Sequence, residues 1–194
     1  MIKSRIVVAE DDPITRMDIC EILIAAGYTV VGDASNGLQA IDLCRKHKPD
    51  LVLMDIKMPK LDGIQAGQII MKENLVDALI ILTAYSGKEF IEKVKTLGAL
   101  GYIVKPIDEA KLIPQIEIAI SKGKEIRDIE AKVINADKKL LNTTTIYKAK
   151  EILMEKFNLS EDDAYKKMRG LSMDKQCSIV ETSKSLIDFY YNKK

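Results

Sequence analysis

Reactive side chains close four short apolar runs in this chain. Glu10 and Asp11 follow Ile6-Val7-Val8-Ala9, Asp55 follows Leu51-Val52-Leu53-Met54, Thr83 follows Leu79-Ile80-Ile81-Leu82, and Lys105, with Pro106 behind it, follows Tyr102-Ile103-Val104. Brought together, three carboxylates make an oxygen-rich site for a hard divalent cation. Mg2+ suits it, because that ion takes few protein carboxylates and keeps several waters. Lys105 balances the excess negative charge, and crowded carboxylates repel, so at least one is expected to have a raised pKa. A phosphoryl group added to Asp55 would find a metal and an ammonium to offset its charge and the Thr83 hydroxyl to donate a hydrogen bond. Taken singly, each residue has a plainer reading: a strand-end Asp caps a helix, and Lys-Pro forms a loop. Four such residues in chain order, each at its own strand end, are far more specific.

Short runs rich in Val and Ile, bounded by turn residues, read as buried strands of a parallel sheet. In an open α/β sheet, ligands bind just beyond the carboxyl ends of the strands. Helical patterns alternate with the runs. One spans about residues 13–26, with Ile14, Met17, Ile22 and Leu23 near helical spacing and Gly27 as its stop. A strand over 29–32 follows, then a helix from about residue 37 carrying Leu38, Ile41 and Leu43. Further helices are expected over 63–72, over 87–97 and from about residue 108. Five βα units imply an α/β fold, a (βα)5 doubly wound parallel sheet with right-handed crossovers, over residues 1–120.

No strand-like run remains after residue 120. Ile126, Ile129, Val133, Ala136 and Leu140 follow a 3-4-3-4 spacing flanked by charges, the seam of a coiled coil. A linker helix over 121–140 is expected, continuing from the receiver's last helix so that one helix covers about 109–142, either paired along that seam or packed on its own domain. Residues 141–194 read as an all-α, three-helix bundle. A first helix, 146–157, buries Ile152, Leu153 and Phe157. Ser160 caps a second, with acids in its first turn, that runs to about residue 171. Ser178, with Glu181 three residues on, caps a third containing Ile179, Val180, Leu186 and Ile187. Helices this short are not stable alone and must share one core.

Composition sets bounds. Residues 1–120 hold 14 basic and 17 acidic side chains, and residues 121–194 hold 16 and 12, so polyanions would prefer the back. Cys20, Cys44 and Cys177 are odd in number and lack CxxC spacing, which argues against zinc or a disulfide framework and fits reduced cytosolic thiols. No apolar stretch approaches the roughly 20 residues of a membrane span. The first residues lead into a strand without a secretory pattern. A cytoplasmic protein with no membrane partner is expected.

The pattern Glu10-Asp11, Asp55, Thr83-Ala84 and Lys105-Pro106, with Tyr102 before it, resembles the receiver domain of two-component response regulators, a flavodoxin-like fold. The resemblance implies that Asp55 accepts a phosphoryl group from a phosphohistidine on a sensor histidine kinase. It implies that Glu10, Asp11, Asp55 and the Lys57 backbone carbonyl bind Mg2+. Thr83 and Lys105 would hold the phosphoryl group, Tyr102 would partner Thr83 in a switch, and the Lys105–Pro106 bond would be cis. Lys57 and Tyr85 would tune the lifetime of the phosphorylated state. The receiver would do no chemistry beyond its own phosphorylation and dephosphorylation. Glu10 stands where many receivers have an Asp. His47, the only histidine, lies in a polar helix end and reads as exposed.

In the basic half, Lys148, Lys150, Lys166, Lys167, Arg169 and Lys175 lie on or just after the first two short helices. Ala149 and Ala164 are small enough to let a nucleic-acid backbone approach, and Tyr165 offers a stacking face. The segments Ala149-Lys150-Glu151-Ile152-Leu153-Met154, Leu159 to Tyr165, Met168-Arg169 and Ser172-Met173-Asp174 resemble the ANTAR domain, an RNA-binding module of transcription antitermination regulators. The resemblance implies paired RNA hairpins in a leader transcript as ligand, with Lys148, Ala149, Lys150, Ala164, Tyr165, Arg169 and Met173 at the motif positions. A homodimer formed on phosphorylation would align two RNA modules. Two other outputs stay open. A DNA-binding response regulator would need a helix-turn-helix, for which the spacer over 174–177 is long. An enzymatic output would need catalytic motifs that residues 121–194 lack.

Overall fold

The computed structural model describes residues 4–84, 92 and 94–191. Five strands form one parallel sheet: β1 (Arg5–Ala9), β2 (Thr29–Ala34), β3 (Leu51–Asp55), β4 (Ala78–Thr83) and β5 (Gly101–Val104), in the order β2-β1-β3-β4-β5. The order reverses beside β1, so the crevice between β1 and β3 is the topological switch point where such sheets place ligands. Helices α1 (Pro13–Ala25), α2 (Gly37–His47) and α3 (Gly63–Lys72) connect the first strands. The helix expected over 87–97 falls mostly outside the described residues. Helical backbone is described at 92 and 94–96.

Strand alternation divides the core in two. Val7, Ala9, Val52, Met54, Leu79 and Ile81 face α2 and α3. Ile6, Val8, Leu51, Leu53, Ile80 and Leu82 face the other way, against Ile19 and Leu23 of α1 and against Leu112, Ile116 and Ala119. Both faces are covered, which is why the strands read as continuous apolar runs. In α1, Ile19 and Leu23 are the fully buried positions, Ile22 is partly buried, and Ile14 and Met17 are exposed. Leu38 in α2 is likewise exposed. Helical spacing fixes which residues share a face, but not which face meets the sheet. Cys44 is buried, and burial pushes its thiol up to about 12. Cys20 and His47 are partly buried.

The largest departure from expectation is a single helix, α4 (Glu109–Phe157), 49 residues long. Continuity of the receiver's last helix with the linker over 121–140, to about residue 142, is expected; the departure is that the helix runs on without a break through the short helix expected over 146–157. No Gly or Pro occurs between 124 and 157 to break it. Asn142-Thr143-Thr144-Thr145 has low helix propensity, yet the three threonine hydroxyls donate to the carbonyls of Lys139, Leu140 and Leu141 at 2.9, 3.0 and 2.8 Å, one turn back. Near its start, Gly123 packs where an added Cβ would lie 2.4 Å from the Asp77 carbonyl oxygen. Arg127 pairs with the Asp77 carboxylate at 2.8 Å.

The chain divides into two compact units, 1–128 and 129–194. In the second, the end of α4 packs with α5 (Glu161–Asp174) and α6 (Ile179–Tyr191) around Ala149, Leu153, Ala164 and Met168. Ser160 caps α5 by accepting from the Asp163 amide at 3.2 Å. Ser178 and Glu181 form the reciprocal cap of α6, with bonds of 3.2 and 2.8 Å. Ile152 and Leu153 are buried as expected. Phe157 is not: it is 46% exposed and meets Tyr190 edge-on at 6.3 Å. The seam residues Ile126, Ile129, Val133, Ala136 and Leu140 are all exposed and belong to none of the described cores.

Candidate functional site

Sheet register assembles the first site. Ala9 pairs with Met54, Asp55 with Leu82, and Thr83 with Val104, so the residues ending β1, β3, β4 and β5 meet at one edge. Glu10, Asp55 and Thr83 are buried there, and Asp11 is exposed. The Lys105 ammonium lies 2.7 Å from Glu10 Oε2 and 3.0 Å from Asp55 Oδ1. These groups, with Asp12, Thr15 and Lys57, line a cavity of about 250 Å3. The Lys105–Pro106 peptide is cis. Tyr85 lies outside the described residues.

Charge balance follows from this geometry. Burial raises the Glu10 pKa, and the neighbouring Asp55 adds to the effect, which Lys105 only partly offsets. Burial works against the Lys105 ammonium, but its bonds to Glu10 and Asp55 outweigh it and hold its pKa above the usual value. The corner fits a divalent cation. Glu10, Asp11 and Asp55 each offer an oxygen, all within 4.8 Å of one another. Glu10 Oε2 is buried, and the Lys105 ammonium beside it balances its charge. Three carboxylate oxygens this close, with one ammonium to balance them, suit a hard cation such as Mg2+.

The elements that carry these groups are held by specific contacts. Asp12 caps α1, accepting from the Thr15 amide at 2.7 Å. Asp62 caps α3, accepting from the Gln65 amide at 2.8 Å. Gly63 opens α3 against the site: an added Cβ would lie 1.9 Å from the Asp55 carbonyl oxygen. Tyr102 does not line the cavity. It is in register with Ile81, two residues before the partner of Thr83, and packs on the α2–α3 face of the sheet. Arg16 is a residue that the sequence reading passed over. It donates to the Glu10 carbonyl at 2.6 Å and pairs with Asp33 at 2.9 Å. Its signal was its place one turn into α1, since helical side chains lean towards the N-terminus and so over the preceding loop.

The helical unit treats its motif differently. Ala149 and Ala164 are 0% exposed and lie in the core between α4 and α5. They offer no surface to a nucleic-acid backbone; their small size lets the two helices approach each other. Lys150 is largely buried, paired with the Glu161 carboxylate, and its ammonium stands 4.2 Å from the centre of the Tyr147 ring. Tyr165 at 43% and Met173 at 70% are exposed, as are Lys148 and Arg169. Lys167 caps the face of Phe157 at 3.7 Å. The outward set is therefore Lys148, Tyr165, Arg169 and Met173.

Residues 6–117 match the response regulator receiver domain family. The chain belongs to the response regulators. Residues 135–187 match the ANTAR domain, so this regulator carries an ANTAR RNA-binding domain behind its receiver. It is 35% identical over 187 residues to the transcriptional regulatory protein PdtaR of Mycobacterium tuberculosis, covering 96% of this chain and 91% of that protein. Sporulation initiation phosphotransferase F of Bacillus subtilis is 37% identical over 125 residues, 63% of this chain and 94% of its own. The crystal structure of the response regulator domain of Thermotoga maritima CheB superposes with a TM-score of 0.58 at 30% identity, covering 61% of this chain and 97% of that one. No helix among the described residues is long and apolar enough to cross a membrane.

Proposed function

We propose that this protein is a phosphorylation-controlled regulator that binds RNA hairpins in nascent transcripts, in the cytoplasm, and promotes transcription antitermination. Asp55 is the phosphoacceptor. One of its carboxylate oxygens attacks the phosphorus of a phosphohistidine on a sensor histidine kinase, the P–N bond breaks, and its electron pair returns to the imidazole. The observation that carries this reading is the Lys105 ammonium held between Glu10 and Asp55 at the strand ends. It is positioned to follow the new phosphoryl charge. Glu10, Asp11, Asp55 and the Lys57 carbonyl would hold Mg2+, which neutralises charge on the transferring group. Thr83 donates to a phosphoryl oxygen, and Tyr102 on the neighbouring strand responds to that movement.

The phosphorylated state forms a homodimer through the last sheet edge and the helices near Tyr102, and the long helix with its exposed seam, Ile126, Ile129, Val133, Ala136 and Leu140, aligns the two RNA modules. Two RNA modules joined in this way gain avidity for a two-hairpin target without new contacts. Lys148, Tyr165, Arg169 and Met173 face the RNA, with Ala149, Lys150 and Ala164 beneath them. Mass spectrometry after incubation with acetyl phosphate and Mg2+ is expected to place one adduct on Asp55 and none on Asp55→Asn. An adduct elsewhere would overturn the assignment. Gel shifts at matched salt are expected to favour RNA hairpins over duplex DNA. Equal or tighter duplex binding would instead support a DNA-binding regulator.

A further inference from the structure

We infer that Arg16 is a positioning residue for the cation corner, acting through the backbone of Glu10 and Asp11. This rests on the reading of that corner as a Mg2+ site. Arg16 leans back from α1 over the β1–α1 loop. Its Nη1 donates to the Glu10 carbonyl oxygen at 2.6 Å and reaches the Asp11 carbonyl oxygen at 3.5 Å. Its Nε donates to Asp33 Oδ2 at 2.9 Å, from the strand beside β1, where Asp33 is in register with Val8. The guanidinium side chain is only 19% exposed. The Glu10 amide meanwhile donates to the Ala34 carbonyl at 3.0 Å. Glu10 is thus held at its N–H by Ala34 and at its C=O by Arg16, and Arg16 is itself paired with Asp33, the residue before Ala34. The origin of its side chain is fixed before any cation arrives.

Two effects of opposite sign compete here. A guanidinium near a cation site repels the cation, so removing it would tighten binding if charge dominated. A guanidinium that fixes two ligand backbones favours the cation, so removing it would loosen binding if geometry dominated. Asp33 pairs with the Arg16 charge, and the remaining bonds go to carbonyls, so geometry is the larger effect. A fork of donors is required, because a single ammonium does not span the Glu10 carbonyl and Asp33 together.

The test is isothermal titration of the full unphosphorylated chain with Mg2+, with thermal unfolding followed by circular dichroism as the folding control. Arg16→Met is expected to bind Mg2+ roughly tenfold more weakly, the usual scale for losing a group that orients a metal ligand. Arg16→Lys is expected to follow Arg16→Met rather than wild type, and the loss is expected to persist at high salt, where a charge effect would fade. Unchanged or tighter binding by Arg16→Met, or full rescue by lysine, would overturn the clamp while leaving the metal site standing. If Arg16→Met does not fold, Arg16→Lys carries the test alone, and wild-type affinity in it overturns the proposal. A wild-type chain that bound no Mg2+ would sink the metal reading and the clamp with it.

Discussion

The sheet edge and the helical unit use polar residues in opposite ways. At the sheet edge, Glu10, Asp55 and Thr83 are buried, and the two carboxylates converge on one ammonium because parallel register brings the strand ends to one line. In the helical unit, neighbours in the motif part company: Ala149 enters the core while Lys148 faces solvent, and Ala164 enters it while Tyr165 does not. A helix rotates about 100° per residue, so a contiguous helical motif is necessarily part scaffold and part surface. A strand end delivers its last residue to the crevice whichever sequence precedes it. A receiver motif therefore reads directly as a site, whereas an ANTAR motif must first be sorted by burial.

The comparison can be broken most severely at Gly63. Gly63→Ala would force a Cβ to within 1.9 Å of the Asp55 carbonyl oxygen unless α3 shifts. A loss of about 3 kcal/mol in urea unfolding is expected, the upper part of the range for overpacking. A variant as stable as wild type would mean that the site tolerates a displaced α3. In the helical unit the same logic applies to Ala164, which is fully buried. Ala164→Leu is expected to cost about 2 kcal/mol by overpacking and to lose RNA binding through the fold.

The surface half of that motif should behave otherwise. Tyr165→Ala is expected to leave thermal unfolding unchanged and to weaken RNA hairpin binding by about 1–2 kcal/mol, the scale of one base stacked on one ring. If Tyr165→Ala unfolds the unit, or Ala164→Leu spares it, the sorting by burial is wrong. The smallest effect belongs to the exposed pair Arg45–Glu73, whose bonds of 2.9 and 2.7 Å join α2 to the end of α3. Arg45 holds the Glu73 carboxyl below its ordinary value of 4.5. A depressed folded pKa gives stability that is present above the unfolded value and lost as pH falls through the folded one. Comparing wild type with Glu73→Gln in thermal unfolding should show a slight advantage to wild type near neutrality that vanishes below pH 4.5. An advantage that grew in acid would contradict the pairing.

Much of this could be read before any coordinates. Four apolar runs, each ended by a reactive residue, mark four strands and a common edge, and the caps at Ser160 and Ser178 stand where their side chains predict. Three things could not be read. The Asn142 to Thr145 stretch looks like a break, and only back-bonding of its threonines to the preceding turn shows the helix running on. Helical spacing could not tell that Ile14, Met17 and Leu38 face away from the core, because periodicity is blind to where the sheet lies. Arg16 carries no motif at all; its importance comes from β2 lying next to β1, which supplies Asp33.

The amino-acid order alone determined which side chains end strands, where helices can begin, and that an acidic front is followed by a basic back. Those are local properties, set by turn chemistry, propensity and the period of apolar residues. Which of those side chains touch, which lysine is already paired, and which alanines are core were decided by tertiary packing. Such contacts depend on strand order and helix rotation, and distances between residues far apart in the chain follow from neither composition nor spacing.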